Sequence, residues 1–328
     1  MARGRRRRMN EIDVIIPVYK PDKTFFTLID KLEKQTVPVG KIIIMNTEQK
    51  YFDRLVYGTP FVEKYGNVHV THLSKKEFNH GDTRNRGVKK SQAPIFVMMT
   101  QDALPEDEHL LENLIRPLEK EGTAVSYARQ LPAKDCNEME RFTRAFNYPE
   151  TSVEKSSADV ERLGIKAYFC SNACAAYKRD IFDSLGGFVR YTIFNEDMLY
   201  AAKAIKAGYR VAYAAQARVI HSHNYTGRQQ FHRNFDLGVS QAQHPEVFEG
   251  ITSEKEGIAL VKKMTGHLWQ EGYRSQIPTF YFNSACRYAG FALGKNYRKL
   301  PVKLILRFTT NKEYWEQEKR IRSGKNFE

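Results

Sequence analysis

The stretch "EIDVIIPVY" (residues 11–19) does most to determine the class of fold. It is a continuous apolar run, rich in β-branched residues, and two runs of the same kind follow it: "KIIIMNT" (41–47) and "APIFVMMTQD" (93–102). Continuous apolar runs of this length fit strands that are buried on both faces of a parallel sheet. The sequence therefore predicts a parallel sheet with these three strands in its interior.

Helical patterns alternate with these strands. "KTFFTLIDKLEKQ" (23–35) and "DTRNRGVKKSQ" (82–92) have helical patterns, and "NVHVTHL" (67–73) is a further strand candidate. Such alternation indicates βαβ units, so we predict a Rossmann-like α/β fold with a mostly parallel sheet flanked by helices. Ligands of such sheets bind beyond the carboxyl ends of the strands.

The pattern changes after residue 225 to polar, aromatic-rich helical segments. We therefore expect an α/β domain over residues 9–225 and a C-terminal helical region over residues 226–328. The opening "MARGRRRR" (residues 1–8) is interpreted as a non-native or disordered basic extension that precedes a natural start at Met9.

Composition limits the class of protein. A hydrophobic content of 41% in 328 residues is enough for a substantial core. The net charge is +14, of which five units come from the arginines of residues 1–8, and the remaining +9 suits anionic partners. No apolar run reaches the length of a membrane-spanning helix, and the four cysteines form no evident disulfide framework, so we expect a cytoplasmic protein.

The residues that follow the predicted strands are the candidate binding residues. They offer a ring, amides, hydroxyls, cations and a carboxylate, which suits a nucleotide diphosphate held together with a metal ion. The candidates for contacts to the nucleotide sugar are Pro17, Val18, Tyr19, Asn46, Glu48, Gly81, Arg84, Asn85 and Gln101.

The segment "FNHGDTRNRG" (78–87) opens a predicted helix. A glycine at this point lets backbone amides approach an anion, and the helix N-terminus adds partial positive charge. Arg84 would then reach the diphosphate, and Asn85 a sugar or base edge. The alternative is a surface helix capped by Asp82 or Thr83, with its arginines in solvent.

Asp102 directly follows an apolar strand, where a carboxylate can meet a divalent ion. The alternative role for Asp102 is a helix cap. A single carboxylate needs further ligands, and "HSHNY" (221–225) supplies His221 and His223, which alternate to one face of an extended segment. The alternative interpretation of these histidines is a polar strand end.

Four short motifs occur in a characteristic order: "VIIPVY" (14–19), "TQDA" (100–103), "SLGGF" (184–188) and "NED" (195–197). The ordered set resembles the family 2 inverting glycosyltransferases, which have the GT-A fold. Within that family, "FNHGDTRNRG" followed by "MMTQDALP" (98–105) most resembles bacterial rhamnosyltransferases that build cell-surface polysaccharides.

The resemblance implies roles for the acidic residues. Asp197 would be the catalytic base, Glu196 would orient the acceptor or neighbouring groups, and a divalent cation, Mg²⁺ or Mn²⁺, would be the cofactor. The family usually has two acidic residues where this chain has Thr100, Gln101 and Asp102. The structural alternative for Glu196 and Asp197 is favourable interaction with the dipole of a helix that begins there.

The resemblance also implies the substrates. The donor would be dTDP-β-L-rhamnose, and the acceptor a hydroxyl of a lipid-linked oligosaccharide at the cytoplasmic face of the bacterial inner membrane. Residues 277–308 interleave aromatic and basic side chains, which suits a peripheral helix at an anionic membrane surface. The alternative is packing on the catalytic domain or at the subunit contact of a homodimer.

Two other functions fit parts of the sequence. The same fold would serve a UDP-hexose donor. The positive charge and the many tyrosines and phenylalanines are also found in nucleic-acid-binding proteins. Outside residues 1–8, however, the basic residues are dispersed and no known binding module occurs, so we expect no nucleic acid partner.

Overall fold

The computed structural model describes residues 12–249 and 254–322, so the basic extension at residues 1–8 lies outside the described residues. The described chain divides into two compact units. The first unit contains residues 12–134, 147–190 and 196–222, and the second contains residues 135–146, 191–195, 223–249 and 254–322.

The first unit contains a sheet of nine described strands. The strands are Ile12–Tyr19 (β1), Val39–Thr47 (β2), Val68–Leu73 (β3), Ile95–Met99 (β4), Leu104–Pro105 (β5), Thr123–Leu131 (β6), Val153–Lys155 (β7), Cys174–Lys178 (β8) and Arg210–Ile220 (β9). Their order is β3-β2-β1-β4-β8-β6-β9-β5, with β7 on β9. Strands β3, β2, β1 and β4 pair in parallel, and β8 is antiparallel to both β4 and β6.

The described α-helices occur in both units. They are Thr24–Glu33 (α1), Gln49–Val56 (α2), Phe61–Lys64 (α3), His80–Val88 (α4), Leu110–Ile115 (α5), Glu138–Asn147 (α6), Val160–Leu163 (α7), Arg179–Ser184 (α8), Glu196–Lys206 (α9), Gly227–Gln243 (α10), Pro245–Phe248 (α11), Glu254–Gln270 (α12), Ile277–Lys295 (α13), Val302–Phe308 (α14) and Lys312–Arg322 (α15). None of them is long and apolar enough to cross a membrane.

The predicted interior strands are confirmed. Nearly every residue of β1, β2 and β4 that the apolar runs contain is buried, because helices cover the sheet. The parallel pairing brings the carboxyl ends of these three strands to one edge of the sheet. The sequence predicted this edge as the place where candidate binding residues would lie.

In the second unit, glycines allow α10 and α13 to pack closely. A Cβ atom added at Gly290 would lie 2.2 Å from the carbonyl oxygen of Phe231, and one at Gly294 would lie 2.1 Å from that of Phe235. A real Cβ atom never approaches a backbone oxygen so closely, so both positions require glycine. Phe235 and Val239 of α10 then pack into an apolar cluster with Tyr297.

The sequence predicted a single boundary at residue 225, whereas each unit of the structure is made of several segments of the chain. The last segment of the second unit begins at residue 223, but this unit also contains residues 135–146 and 191–195, which come from within the predicted α/β domain. Sequence patterns follow the order of the chain, whereas these short segments join the second unit through tertiary contacts.

Candidate active site

Two adjacent carboxylates open helix α9, and the residue before them, Asn195, has a left-handed backbone with φ of 66°. Glu196 is buried, and Asp197 is half-buried. Two backbone amides fix the Asp197 carboxylate: the Asn172 N–H donates to Oδ2 at 2.9 Å, and the Met198 N–H donates to Oδ1 at 2.8 Å.

Glu196 is held by cationic and amide groups. The Arg84 Nε atom lies 3.1 Å from Glu196 Oε1, and His80 Nδ1 lies 3.9 Å from Oε2. The Asn172 Nδ2 group donates to Oε1 at 3.1 Å. Glu196 is therefore a buried carboxylate that is neutralised by Arg84, and its geometry is fixed by Asn172.

The two carboxyl groups titrate differently. Burial, and then the negative charge of Glu196, raise the pKa of Asp197 to about 7. Burial also acts to raise the pKa of Glu196, but the charges of Arg84 and His80, together with hydrogen bonds such as that from Asn172, outweigh burial and leave that pKa lowered. At neutral pH, Glu196 is ionised while Asp197 can accept and release a proton, as a general base must.

Asn172 links these carboxylates to the sheet. It precedes β8 in the segment "CSNAC" (170–174), and the buried Tyr177 hydroxyl of β8 donates to Asn172 Oδ1 at 2.7 Å. This bond turns the Asn172 Nδ2 group towards Glu196. The backbone N–H of the same residue donates to the Asp197 carboxylate. Asn172 therefore fixes both carboxylates at once.

Helix α4 packs against the "GGF" turn at residues 186–188. The Asn85 side chain donates to the Phe188 carbonyl at 2.9 Å and accepts from the Phe188 N–H at 3.1 Å. A Cβ atom at Gly81 would lie 1.6 Å from the Val189 carbonyl oxygen, so only glycine allows this approach. The motif that opens α4 and the "GGF" motif therefore form one packed substructure.

The predicted anion-binding helix terminus is not formed, because protein groups already occupy its amides. The N-cap of α4 is Asn79 rather than Asp82 or Thr83, and its side chain accepts from the Gly81 N–H at 3.2 Å. The Asp82 N–H donates to the Arg190 carbonyl at 3.0 Å. Of the residues predicted to contact a donor here, Gly81 and Asn85 pack the "GGF" turn and Arg84 pairs with Glu196.

The predicted residues after β1 lie at the open edge of the sheet. Tyr19 is 37% exposed, Val18 is buried and Pro17 is half-buried. The Gln101 side chain accepts from the Tyr19 N–H at 2.8 Å and donates to the Tyr19 carbonyl at 3.0 Å. Gln101 therefore fixes the backbone of Tyr19 and leaves the Tyr19 ring accessible.

Polar atoms without partners lie at the carboxyl ends of the neighbouring strands. Asn46 contacts His72 Nδ1 through its Nδ2 group at 2.9 Å, and Glu48 accepts from the Lys75 N–H at 2.8 Å. Within the described chain, the buried atoms Asn46 Oδ1, Thr47 Oγ1 and Thr100 Oγ1 have no hydrogen-bond partner. An unsatisfied buried polar atom costs about 1–3 kcal/mol, so a bound polar ligand at this edge would be favourable.

Two of the predicted metal ligands are neighbours. Asp102 Oδ1 lies 3.5 Å from His221 Nε2, and the Asp102 side chain is 43% exposed. The other ring nitrogen, His221 Nδ1, lies 2.8 Å from Oε1 of the buried Gln130, whose Nε2 group donates to Ser171 Oγ at 2.9 Å. His223, the third candidate, is the first residue of the last segment of the second unit.

Comparison with known proteins identifies the family of this chain. A family model described as glycosyl transferase family 2 matches residues 13–186. The chain belongs to glycosyl transferase family 2. The predicted family is therefore confirmed.

Two relatives of this family 2 chain are similar over nearly its whole length. O-antigen chain rhamnosyltransferase RfbN of Salmonella typhimurium is 38% identical over 309 residues, which cover 93% of this chain and 96% of the relative. O-antigen chain rhamnosyltransferase WbaN of Salmonella anatum is 36% identical over 312 residues, which cover 94% and 96%.

A solved structure is similar in fold. The mannosyltransferase PcManGT from Pyrobaculum calidifontis, in complex with GDP-Man and Mn²⁺, has a TM-score of 0.59 at 14% identity, and the match covers 88% of each chain. The predicted GT-A fold, with a mostly parallel sheet and a C-terminal helical region, is confirmed.

Two side chains of this family 2 glycosyltransferase, Asp102 and His221, offer atoms that fit the coordination of a divalent ion. A carboxylate oxygen and an imidazole nitrogen lie together at Asp102 and His221, and both types of atom are common metal ligands. Metal-bound histidines usually donate their other N–H group to a protein acceptor. Gln130 accepts from His221 Nδ1–H and so directs the lone pair of Nε2 outward.

The sequence did not identify three residues that shape the site: Asn172, Gln130 and His80. Asn172 lies between Cys170 and Cys174, and the sequence pattern of this segment suggests only a pair of thiols. Gln130 is the penultimate residue of β6, and its position near the end of a strand was the one available signal. His80 belongs to the quoted "FNHGDTRNRG" motif, but nothing in the motif predicts that it lies near Glu196.

Proposed function

We propose that this family 2 glycosyltransferase transfers L-rhamnose from dTDP-β-L-rhamnose to a hydroxyl of a lipid-linked surface glycan. The observation that carries the reaction class is Asp197, a half-buried carboxylate whose two oxygens accept backbone amides and whose pKa is raised to about 7. The choice of sugar is supported by RfbN and WbaN, two rhamnosyltransferases at 38% and 36% identity.

The proposed reaction is a single displacement. Asp197 accepts the proton of the acceptor hydroxyl as that oxygen bonds to the anomeric carbon of rhamnose. The bond between the anomeric carbon and the phosphate oxygen breaks on the opposite side, and dTDP leaves with the bonding electron pair. Because attack and departure occur on opposite faces, the β-linked donor gives an α-rhamnoside.

Glu196 supports the base without accepting the proton. Its charge, neutralised in part by Arg84, raises the pKa of Asp197 towards the pH at which the enzyme works. This role differs from the acceptor-orienting role predicted for Glu196. Arg84 is correspondingly assigned to positioning Glu196 instead of the donor diphosphate, because its side chain is buried in that ion pair.

The donor is proposed to bind at the carboxyl ends of β1, β2 and β4. The residues proposed to contact it are Pro17, Val18, Tyr19, Asn46, Glu48 and Gln101. The unpaired buried atoms of Asn46, Thr47 and Thr100 support a polar ligand at this edge. The accessible ring of Tyr19 is proposed to provide apolar surface for the methyl group of thymine.

A divalent ion, Mg²⁺ or Mn²⁺, is proposed to bind at Asp102 and His221. His223, two positions further along the chain, is kept as the third candidate ligand. When bound, such an ion supplies Lewis-acid stabilisation of the charge that develops on the departing diphosphate.

The second unit is proposed to contact the cytoplasmic face of the membrane through α13. Three aromatic side chains of this helix, Tyr281, Phe282 and Tyr288, are 48%, 64% and 66% exposed. In a flotation assay with anionic vesicles, Phe282→Ser combined with Tyr288→Ser should reduce the bound fraction. Tyr57→Ser, which removes an exposed aromatic ring in the first unit, serves as the control; equal binding by all three proteins would reject this contact.

The experiment that tests the proposed function is nucleoside diphosphate release from a panel of sugar nucleotides, with Mn²⁺ and a lipid-linked glycan extract. We expect acceptor-stimulated release from dTDP-β-L-rhamnose and an α-linked product. Release confined to UDP-hexoses would overturn the rhamnose assignment, and a β-linked product would overturn the single displacement.

A further inference from the structure

The second unit contains a polar cavity whose wall includes His223, the third candidate metal ligand, but none of the residues proposed to contact the donor or to act as the base. Its volume is about 50 Å³, which suits a small polyatomic anion or a few water molecules rather than a sugar ring. Aromatic and aliphatic side chains form part of the wall. The polar part of the wall includes Asn137, Glu140, Gln230, Asn283, Ser284 and Arg287.

One face of α13 supplies three hydrogen-bond donors to this cavity. Asn283, Ser284 and Arg287 are spaced so that they lie within about one helical turn. All three are half-buried, and their side chains make no hydrogen bond or ion pair with any other described residue. A guanidinium, an amide and a hydroxyl without protein partners therefore line the same small space.

The charge around the cavity is unbalanced. The Glu140 carboxylate already accepts from Arg144 Nε at 2.6 Å and from the His223 N–H at 3.1 Å. Arg287 has no such partner, and burial lowers its pKa, although the charge of Glu140 opposes this effect. Arg233 adds a second cation nearby, since its guanidinium lies 5.6 Å from the centre of the Tyr225 ring. The excess of positive charge favours an anion.

We propose that this cavity binds a phosphate group through Arg287, Asn283 and Ser284. Arginine matches the oxygens of phosphate with several N–H donors, and the amide and hydroxyl supply further donors of neutral type. The source of the phosphate rests on the proposed function: it is the phosphate that joins the acceptor glycan to its lipid. Binding of the anion itself does not depend on rhamnosyl transfer.

The test is calorimetric titration with inorganic phosphate, using the full chain in EDTA with the donor site saturated by dTDP. We expect the wild-type protein to bind phosphate and Arg287→Gln to bind it at least about tenfold more weakly. Lys295→Gln is the matched control, since it removes an exposed positive charge from the same helix and should leave the affinity unchanged. Asn283→Asp places a negative charge in the cavity and should also abolish binding, which protects the test if Arg287→Gln fails to fold.

A kinetic comparison then identifies the carrier of the phosphate. With the lipid-linked acceptor, Arg287→Gln should raise the acceptor KM at least about tenfold without changing the donor KM, whereas the same glycan released from its lipid diphosphate should be insensitive. Loss of phosphate binding without this difference would assign the site to inorganic phosphate and overturn the acceptor assignment. Undetectable wild-type binding, or equal phosphate affinity in the wild type and both cavity variants, would overturn the site itself.

Discussion

Asp197 and Glu196 are neighbours in the chain, yet their surroundings separate their chemistry. Arg84 and His80 lie beside Glu196 and favour its ionised form, whereas Asp197 has amide partners, partial burial and the charge of Glu196. A pair of carboxyl groups whose pKa values are moved apart is a general way to obtain a base that works near neutral pH. In the proposed mechanism, the ion pair between Arg84 and Glu196 therefore contributes to catalysis indirectly.

A substitution at Gln130 should weaken metal binding and leave the fold intact. Gln130→Leu removes the acceptor for His221 Nδ1, so the imidazole is no longer held with Nε2 towards Asp102. Loss of the hydrogen bond that orients a metal-binding histidine typically weakens metal affinity by about 10–100-fold. We expect this loss in a Mn²⁺ titration followed by electron paramagnetic resonance.

Gln130→Glu is the control for that prediction, because its carboxylate still accepts from Nδ1–H and should restore Mn²⁺ binding. Unchanged Mn²⁺ affinity in Gln130→Leu would contradict a metal site at Asp102 and His221. Weak binding in both variants would indicate that Gln130 acts on the fold rather than through the imidazole.

At the scale of elements, close contacts between glycines and distant backbone atoms fix the helices. Gly81 brings α4 against the segment after the "GGF" turn, and Gly290 and Gly294 bring α13 against α10. In each case the glycine has no Cβ atom to prevent the backbone from approaching. The position of the helix, and of the side chains it carries, depends on that approach.

Gly290→Ala should therefore lower the free energy of unfolding by about 1–3 kcal/mol, because a Cβ atom there would overlap the Phe231 carbonyl. Gly266→Ala in α12 is the matched control: it is also helical, and no atom lies within 4 Å of its added Cβ. Alanine at this open position should raise stability by up to about 1 kcal/mol. Chemical denaturation measures both; similar effects of the two substitutions would contradict the close packing of α10 and α13.

At the scale of the whole molecule, the sequence predicted the elements that depend on local pattern. Strands β1, β2 and β4 contain continuous apolar runs, as expected of strands that are covered on both faces of a sheet, and the ordered motifs identified the family. His221 was predicted as a partner of Asp102 because a single carboxylate needs further metal ligands, and the two side chains lie together in the structure.

The contacts that depend on tertiary packing were not predicted. Gly81 and Asn85 show the sequence pattern of an anion-binding helix start, but their partners are Val189 and Phe188, about a hundred positions away. Asn172 donates hydrogen bonds to the carboxylates of Glu196 and Asp197, which lie more than twenty positions away in the chain. No pattern of spacing reveals such pairs, since the sheet topology alone brings them together.

The proposed mechanism depends most on Asp197 as the base, and the pH dependence of kcat/KM tests this role most directly. At saturating Mn²⁺, we expect wild-type kcat/KM to rise with pH and to level off above an apparent pKa of about 7, because only ionised Asp197 accepts the proton. The Asp197→Asn variant should lose this rise of kcat/KM with pH. Its kcat should fall by about 10²–10⁴-fold, while its donor affinity is retained. A wild-type profile that is flat from pH 5 to 9 (roughly two units around that pKa), or an Asp197→Asn variant with wild-type activity, would contradict the role of Asp197 as the base.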